Sequence, residues 1–318
     1  MLNTELAFLF PGQGSQSVGM LSSHLEQESV VADTFSEASD AVGYDVRALV
    51  MDNPDGRLDQ TEYTQPALLT ASTALLRLWR ARGGVEAGQL AGHSLGEYSA
   101  LVAAGSLAFD DAVRLVSFRG RAMSEAVPQG MGRMAAILGL DDDQLTALCE
   151  QASDTEEKVW AANFNCPGQL VVAGHADAVD RLIDLAKGSG AKRALPLAVS
   201  APSHTPLMQP AADAMAERLS EVNVSDPDRP VWSNAWARPV SRADEVRQAL
   251  VEQLVSPVCW TDTIRHMRKA DVSRAVEMGP GKVLAGLVKR IDRNINVFPT
   301  DEPARMIESL ESVAGSGD

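Results

Sequence analysis

The chain has 318 residues, 45% hydrophobic and 22% charged, which is typical of a globular enzyme with one large domain plus an insertion, or with two domains. Its net charge of −15 argues against nucleic acid or an anionic membrane as a partner, because both need a positive surface. There is no secretory signal and no apolar run near the roughly 18 residues of a membrane helix. Three scattered cysteines and the absence of metal-ligand spacing favour a reducing, cytoplasmic location and no metal.

Strands alternate with helices in the first part of the chain. Apolar runs, helical periodicity and Pro/Gly boundaries predict, in chain order, a strand at 6–10, helices near 30–41 and 67–79, a strand at 89–91, and helices at 95–104 and 110–126. Gly105 is the expected left-handed stop of the fifth element, and Asp110 the expected cap of the sixth. This alternation predicts an α/β fold with a parallel sheet covered by helices on both faces.

The segment 128–199 repeats the alternation in miniature. Its predicted elements are a strand at 134–138, a helix at 141–152, strands at 159–162 and 170–173, a helix at 176–187 and a strand at 191–197. The order β-α-β-β-α-β is that of a ferredoxin-like unit, and Pro196 places the last strand at an edge. We therefore expect a small ferredoxin-like subdomain at 128–199, inserted into a large α/β-hydrolase-like subdomain made of 1–127 and 200–318.

The remaining elements follow a stiff turn between Pro202 and Pro206. We predict a helix near 210–220 and strands at 231–235 and 275–278. The last strand opens onto Gly279-Pro280-Gly281-Lys282, which lacks the spacing and the Ser/Thr of a phosphate-binding P-loop. Gly12-Gln13-Gly14 has Ser17 where a dinucleotide fingerprint needs its third glycine. Neither segment predicts a nucleotide site.

Gly92-His93-Ser94-Leu95-Gly96 has the G-x-S-x-G pattern of a nucleophile elbow, in which a serine lies on a sharp turn between a strand and a helix. A serine hydroxyl needs a base within hydrogen-bond reach. His204 follows Ser94 in the chain order typical of α/β-hydrolase-like enzymes. His93 is expected to point away from its neighbour Ser94 and to have a supporting role. An ordinary turn serine and a surface or capping histidine remain the alternatives.

Six short motifs stand in order along the chain. They are Pro11-Gly12-Gln13-Gly14-Ser15-Gln16, Gly92-His93-Ser94-Leu95-Gly96-Glu97-Tyr98-Ser99, Arg119-Gly120, Asn163-Phe164-Asn165 with Pro167-Gly168-Gln169, Pro202-Ser203-His204, and Gly279-Pro280-Gly281-Lys282. Each is weak alone, but together they resemble the malonyl-CoA:acyl carrier protein transacylases of bacterial type II fatty acid synthesis. The resemblance covers the chain from about Leu6 to about Ile291.

The resemblance implies a role for each site residue. Ser94 would be the acylated nucleophile and His204 the general base and acid. The backbone N–H groups of Gln13 and Leu95 would form the oxyanion hole. Arg119 would bind the free carboxylate of the malonyl group, since a guanidinium fork matches a carboxylate bidentately.

Two supporting roles and the partners are also carried over from the family. The main-chain carbonyl of Gln253 would orient the histidine, and Asn163 would line or support the cleft. The substrates would be malonyl-CoA and the phosphopantetheine thiol of acyl carrier protein, used in a ping-pong reaction that needs no cofactor. We expect a monomer on which the acidic carrier protein docks at a local basic patch. Candidate basic groups are Arg119 with Arg121, Lys192 with Arg193, Arg265 with Arg268 and Lys269, and Lys289 with Arg290.

Two other functions compete with acyl transfer. A thioesterase or esterase would use the same serine and histidine, but would have no need for a buried cation at Arg119. A non-catalytic subunit that binds acyl carrier protein would not need Ser94, His204 and Arg119 intact. Ala201 stands where many relatives carry a bulkier residue. The choice among malonyl, methylmalonyl and acetyl groups, and between fatty acid and polyketide synthesis, stays open at this stage.

Overall fold

Two β-sheets organise the chain in the computed structural model, which describes residues 2–199 and 201–315. The strands are β1 (Asn3–Phe10), β2 (Ala87–Gly92), β3 (Gly132–Leu138), β4 (Val159–Cys166), β5 (Gln169–His175), β6 (Arg193–Pro196), β7 (Val231–Trp232), β8 (Pro239–Val240), β9 (Arg274–Glu277) and β10 (Asn296–Pro299).

Thirteen α-helices accompany these strands in the described ranges. They are α1 (Ser22–Gln27), α2 (Ser29–Val42), α3 (Val46–Asp52), α4 (Thr61–Ala81), α5 (Gly96–Ala103), α6 (Phe109–Glu125), α7 (Asp142–Ala152), α8 (Ala176–Gly188), α9 (Gln209–Glu221), α10 (Ala243–Val255), α11 (Trp260–Lys269), α12 (Val283–Ile291) and α13 (Pro303–Ala314). No helix within 2–199 and 201–315 combines the length and the apolar character needed to cross a membrane.

The larger sheet has the strand order β10-β9-β1-β2-β7-β8. All its pairings are parallel except β7 with β8, which is antiparallel. The last five residues of β1 and all of β2 are buried, as expected for central strands covered on both faces. The predicted α/β class is therefore confirmed. The carboxyl ends of β1 and β2 meet at one edge, where side chains on the following loops converge.

The smaller sheet is antiparallel and has the strand order β4-β5-β3-β6. Its helices α7 and α8 pack on it to form a separate apolar core. Asp141 caps α7 through a complete capping box with Gln144, in which each residue's side chain satisfies an N–H group of the other. The predicted edge position of Pro196 is confirmed, because β6 pairs only with β3 in the described sheet.

Main-chain hydrogen bonds near the end of β4 join the small sheet to the segment between α10 and α11. The N–H of Phe164 donates to the Val258 carbonyl (2.9 Å), and the N–H of Val258 donates to the Ala162 carbonyl (2.9 Å). The hydroxyl of Thr261 also donates to the Phe164 carbonyl (3.0 Å). The small sheet therefore continues directly into the segment that precedes α11.

Two local predictions are wrong. Asp110 does not cap α6, because the helix begins one residue earlier, at Phe109, and Ala108 occupies the cap position without a side-chain hydrogen bond. Asp110 instead pairs with Arg114 one turn later (2.8 Å). The strand predicted at 231–235 ends at Trp232 because the chain then turns back, with Ala237 at φ 48°. Gly105 does adopt the predicted left-handed conformation (φ 66°).

Candidate active site

Ser94 occupies a sharp turn between β2 and α5, with a left-handed φ of 49°. Glycines make the turn possible. A Cβ on Gly92 would lie 1.9 Å from the Gly96 carbonyl carbon, and a Cβ on Gly96 would lie 2.0 Å from the Phe10 oxygen. A non-glycine residue in the left-handed region is strained, and such strain concentrates at functional sites. The predicted elbow geometry is therefore present.

The side chain of Asn234, which follows β7, makes two hydrogen bonds to main-chain groups of this turn. Its Oδ1 accepts a hydrogen bond from the Ser94 N–H (2.6 Å). Its Nδ2 donates to the Gly92 carbonyl (2.6 Å). Both bonds satisfy main-chain groups of the turn, so Asn234 stabilises the strained conformation.

His204 lies within hydrogen-bond distance of the nucleophile. Its Nε2 is 2.8 Å from the Ser94 Oγ, and its Nδ1 is 2.8 Å from the Gln253 main-chain oxygen. The carbonyl can only accept, so Nδ1 carries the proton and Nε2 is free to accept from the serine hydroxyl. Burial, followed by the positive charge of Arg119, lowers the pKa of His204 to about 3. The imidazole is therefore neutral, as a general base must be.

Arg119 lies on the buried face of α6 and is only 1% exposed. Its Nη1 donates to the Gln65 Oε1 and its Nη2 to the Gln253 Oε1 (both 2.8 Å), while Nη2 is 3.4 Å from the Ser94 Oγ. In the described part of the chain no carboxylate oxygen lies within 4.0 Å of the guanidinium. Burial lowers the pKa of Arg119. A buried cation held by two neutral amides has hydrogen-bonding capacity left for an anionic ligand.

The oxyanion-hole candidates lie on the rim of the same cavity. Gln13 and Leu95 both line it. The loop carrying Gln13 is pressed against the elbow, since a Cβ on Gly12 would meet the His93 oxygen at 2.3 Å. Within residues 2–199 and 201–315, neither the Gln13 nor the Leu95 amide N–H donates to a protein acceptor. Both donors are therefore free for a substrate oxygen.

His93 and Asn163 support the wall of the cavity. The His93 Nε2 is 2.8 Å from the Asn165 Oδ1, and its ring packs against Trp260 with 5.5 Å between centroids. As predicted, His93 makes its hydrogen bond away from Ser94. Asn163 lies on β4, is buried and lines the cavity. It also forms an isolated β-bridge with Val258, in the segment between α10 and α11.

The cavity has a volume of about 370 Å³ and lies between the two sheets. Ser94, His204 and Arg119 line it, together with apolar side chains such as Met123, Met134 and Val171. A volume and lining of this kind suit a small acyl group and a slender arm. Among the described residues no group of histidine, cysteine and carboxylate side chains could hold a metal ion.

Three polar residues have roles that were not predicted from the sequence. Gln65 and Asn234 lie far from the motifs in sequence and belong to no local pattern. Glu97 stands inside the elbow motif and is 1% exposed. It accepts from the Gln253 Nε2 (2.7 Å) and from the Asn234 N–H (3.0 Å). A carboxylate one turn after the elbow, among apolar neighbours, was the available signal for a buried role.

Comparison with known proteins gives a consistent answer over almost the whole chain. A family model described as an acyl transferase domain matches residues 7–300. The malonyl CoA-acyl carrier protein transacylase of Escherichia coli K12 is 50% identical over 308 residues, covering 97% of this chain and 99% of the relative. The Bacillus subtilis protein of the same name is 42% identical, covering 99% of both chains.

A solved structure agrees in fold. The malonyl-CoA:acyl carrier protein transacylase of Xanthomonas oryzae pv. oryzae superposes with a TM-score of 0.96 at 46% identity, over 98% of this chain and 99% of that one. The strands and helices described above are thus arranged as in a structure of that name. The chain therefore belongs to the acyl transferase domain family, among the malonyl CoA-acyl carrier protein transacylases.

Proposed function

We propose that the chain transfers a malonyl group from malonyl-CoA to the phosphopantetheine thiol of acyl carrier protein, through a malonyl ester on Ser94. The observation that carries the proposal is the placement of Arg119, a buried guanidinium without a carboxylate partner in the described chain, 3.4 Å from the nucleophilic oxygen. A simple ester or thioester hydrolase does not need a cation at the acyl end of its cavity. A dicarboxylic acyl group does, because its free carboxylate must be paired when it leaves water.

Acylation begins with transfer of the Ser94 hydroxyl proton to the His204 Nε2. The Oγ attacks the thioester carbonyl carbon, and the N–H groups of Gln13 and Leu95 stabilise the negative charge that develops on the carbonyl oxygen. The C–S bond then breaks, and His204 returns its proton to the leaving CoA sulfur. The product is free CoA and a malonyl ester on Ser94.

The second half runs the same steps in reverse with a different thiol. The pantetheine thiol of the carrier protein gives its proton to His204 and attacks the ester carbonyl. The Ser94 Oγ leaves and takes the proton back. Because both halves use one serine and one cavity, the reaction is ping-pong and needs no cofactor. Arg119 keeps the acyl group in the orientation for thiol attack, and the apolar wall limits entry of water.

Malonyl binding also makes His204 a stronger base. The positive charge of Arg119 is the second cause of the low pKa of His204, after burial. A malonyl carboxylate on the guanidinium offsets that charge and raises the pKa of the imidazole. A malonyl substrate therefore activates its own nucleophile in a way that an acetyl substrate cannot.

The carrier protein would dock on basic groups beside the cavity. A solved malonyl-transacylase in complex with its type II polyketide synthase acyl-carrier protein superposes on this chain with a TM-score of 0.95 at 47% identity, over 97% of this chain and 99% of that one. Of the candidate groups, Arg119 is buried, and Arg121 pairs with Glu62 (3.2 Å). Lys192 and Arg193 are exposed and have no ion pair within the described ranges. They lie at the start of β6, whose other end leads to the cavity wall at Leu197, and we propose them as docking residues.

We extend the proposal to the two subdomains, the cellular location and the oligomeric state. The strand order of the small sheet supports a ferredoxin-like subdomain at 128–199. The elbow at the end of a parallel strand supports an α/β-hydrolase-like description of 1–127 and 200–318. We assign the protein to the cytoplasm as a monomer, with the carrier protein and CoA thioesters as its partners.

The deciding experiment follows malonyl by mass. Purified protein is mixed with malonyl-CoA alone, and then with phosphopantetheinylated acyl carrier protein, with methylmalonyl-CoA and acetyl-CoA in parallel. We expect a malonyl adduct on Ser94 and malonyl-carrier protein as product, and no transfer by Ser94→Ala. Release of free malonate without malonyl-carrier protein would assign the chain to the thioesterases instead. Unchanged transfer by Ser94→Ala would refute the assigned roles.

A further inference from the structure

We propose that Glu97 is a positioning residue for the acyl carboxylate site. Through the side-chain amide of Gln253, it orients the guanidinium of Arg119 toward the cavity, and it does not itself pair with that guanidinium. The inference rests on the proposed function and extends it to a residue that touches neither the acyl group nor the reacting atoms.

Glu97 connects three elements of the site. It lies in the first turn of α5, three residues after the nucleophile. One of its oxygens, Oε2, accepts both from the Gln253 Nε2 on α10 (2.7 Å) and from the Asn234 N–H after β7 (3.0 Å). A fully buried carboxylate with two N–H donors on one oxygen is an anchor point for the groups that donate to it.

This anchor decides which way the Gln253 amide faces. Its Nε2 donates to Glu97 and also to the Ser94 carbonyl (3.1 Å). Burial raises the pKa of Glu97 to about 7, so at pH 8 it is mostly a carboxylate. A carboxylate and a carbonyl can only accept, so the NH₂ group must point toward them. The opposite end of the amide, Oε1, must then face Arg119, where it accepts from Nη2 (2.8 Å). In the reversed orientation an NH₂ group would face a cation.

The amide also separates two charges that would otherwise pair. Glu97 and Arg119 attract each other, but no ion pair within 4.0 Å joins them in the described chain. A direct bidentate pair would use the same face of the guanidinium that a substrate carboxylate needs. With the Gln253 amide between them, Glu97 compensates the buried charge of Arg119 and leaves its fork available.

The test measures single-turnover acylation of Ser94 by intact mass, with malonyl-CoA and acetyl-CoA, at pH 8. Glu97→Ala removes the anchor, and we expect malonyl acylation to fall at least about tenfold and acetyl acylation at most about threefold. Glu97→Gln retains an acceptor oxygen at the position of Oε2 but loses the charge that compensates Arg119, and should recover only part of the lost malonyl preference. In an Arg119→Ala background, Glu97→Ala should change malonyl acylation by less than about twofold, because the group it acts through is gone.

Two further variants keep the test decisive if Glu97→Ala does not fold. Gln253→Met removes the amide but keeps the main-chain carbonyl that orients His204, and should lower the malonyl-to-acetyl ratio to the same extent. Glu277→Ala is the matched control. Glu277 is also a buried carboxylate that accepts two N–H bonds, from Leu284 and Ala285, but it does not line the cavity. Its loss should lower stability and leave the ratio unchanged.

Three results would overturn the inference. The first is an equal loss of malonyl and acetyl acylation in Glu97→Ala. The second is a loss of malonyl acylation on adding Glu97→Ala to the Arg119→Ala variant. The third is a malonyl-to-acetyl ratio in Gln253→Met equal to that of the wild type. Failure of the wild type to acylate Ser94 with malonyl would instead refute the proposed function, so the two failures are distinguishable.

Discussion

Replacing Arg119 by alanine is the sharpest test of how the site selects its acyl group. The guanidinium is 1% exposed and lies 3.4 Å from the nucleophile, so a carboxylate bound there is almost fully removed from water. Truncating one partner of such a buried charge pair costs about 2–5 kcal/mol. At 1.36 kcal/mol per factor of ten, malonyl acylation should fall about 30-fold to about 5,000-fold.

Acetyl-CoA is the internal control for the same variant. An acetyl group has no carboxylate, so its acylation loses nothing from the missing guanidinium. Removing the charge of Arg119 also removes one cause of the low pKa of His204. The pKa of His204 should therefore rise, and the acid limb of acetyl acylation should move to higher pH. An acid limb that stays in place would contradict the electrostatic effect of Arg119 on His204.

The assay is rapid-quench acylation of Ser94, followed by intact mass with each substrate from pH 5 to 8. Thermal unfolding shows whether the variant is folded. Arg119→Lys tests the fork: an ammonium keeps the charge but cannot hold Gln65, Gln253 and a carboxylate together, so it should restore only part of the malonyl rate. Equal losses for malonyl and acetyl in Arg119→Ala would refute the reasoning.

Three other perturbations follow from the geometry. A Cβ on Gly12 would meet the His93 oxygen at 2.3 Å, so Gly12→Ala should displace the Gln13 N–H and lower kcat about 100-fold. The control is Gly286→Ala, where a Cβ meets no atom within 4 Å and kcat should not fall. Equal kcat values for the two variants would show that Gln13 is not part of the oxyanion hole. Asn234→Ala leaves two buried main-chain groups at the elbow unpaired and should lower the free energy of unfolding by about 2–5 kcal/mol in urea; a loss under about 0.5 kcal/mol would contradict its role. The pKa of His204 is lowered from 6.5 to about 3 on folding, so protonation favours the unfolded state and stability is lost as pH falls from 6.5 toward 3. His204→Gln should escape that loss and gain about 2 kcal/mol on the wild type between pH 7 and pH 5; parallel urea curves at both pH values would show that the group is not buried neutral.

Much of the fold was predictable because its elements have local signals. The apolar run of β1, the glycines around Ser94 and the capping box of α7 each fix a short stretch of backbone without help from the rest of the chain. The strand predicted at 231–235 was too long because Asn234 is recruited out of it to hold the elbow. That contact joins residues 140 apart, and no local pattern encodes it.

The site was predictable to the extent that side chains identify chemistry. Ser94 and His204 are residue types with a recognisable role, and their order along the chain suggested the pair. Gln253 could be named only through family resemblance, because a main-chain carbonyl acceptor has no side-chain signature. Gln65 was not foreseen at all. It acts on a group 54 residues away, from the buried face of a helix whose periodicity only indicates a core position.

The hydrogen bonds that join β4 to the segment before α11 have a mechanical consequence. They tie the small sheet, close to the cavity, to the backbone that leads into α11, at Phe164 and Val258. The cavity wall at Asn163 therefore cannot move away from this backbone without breaking main-chain hydrogen bonds. In the transfer proposed above, CoA and the carrier protein use this one cavity in turn, so the first thiol has to leave before the second can enter.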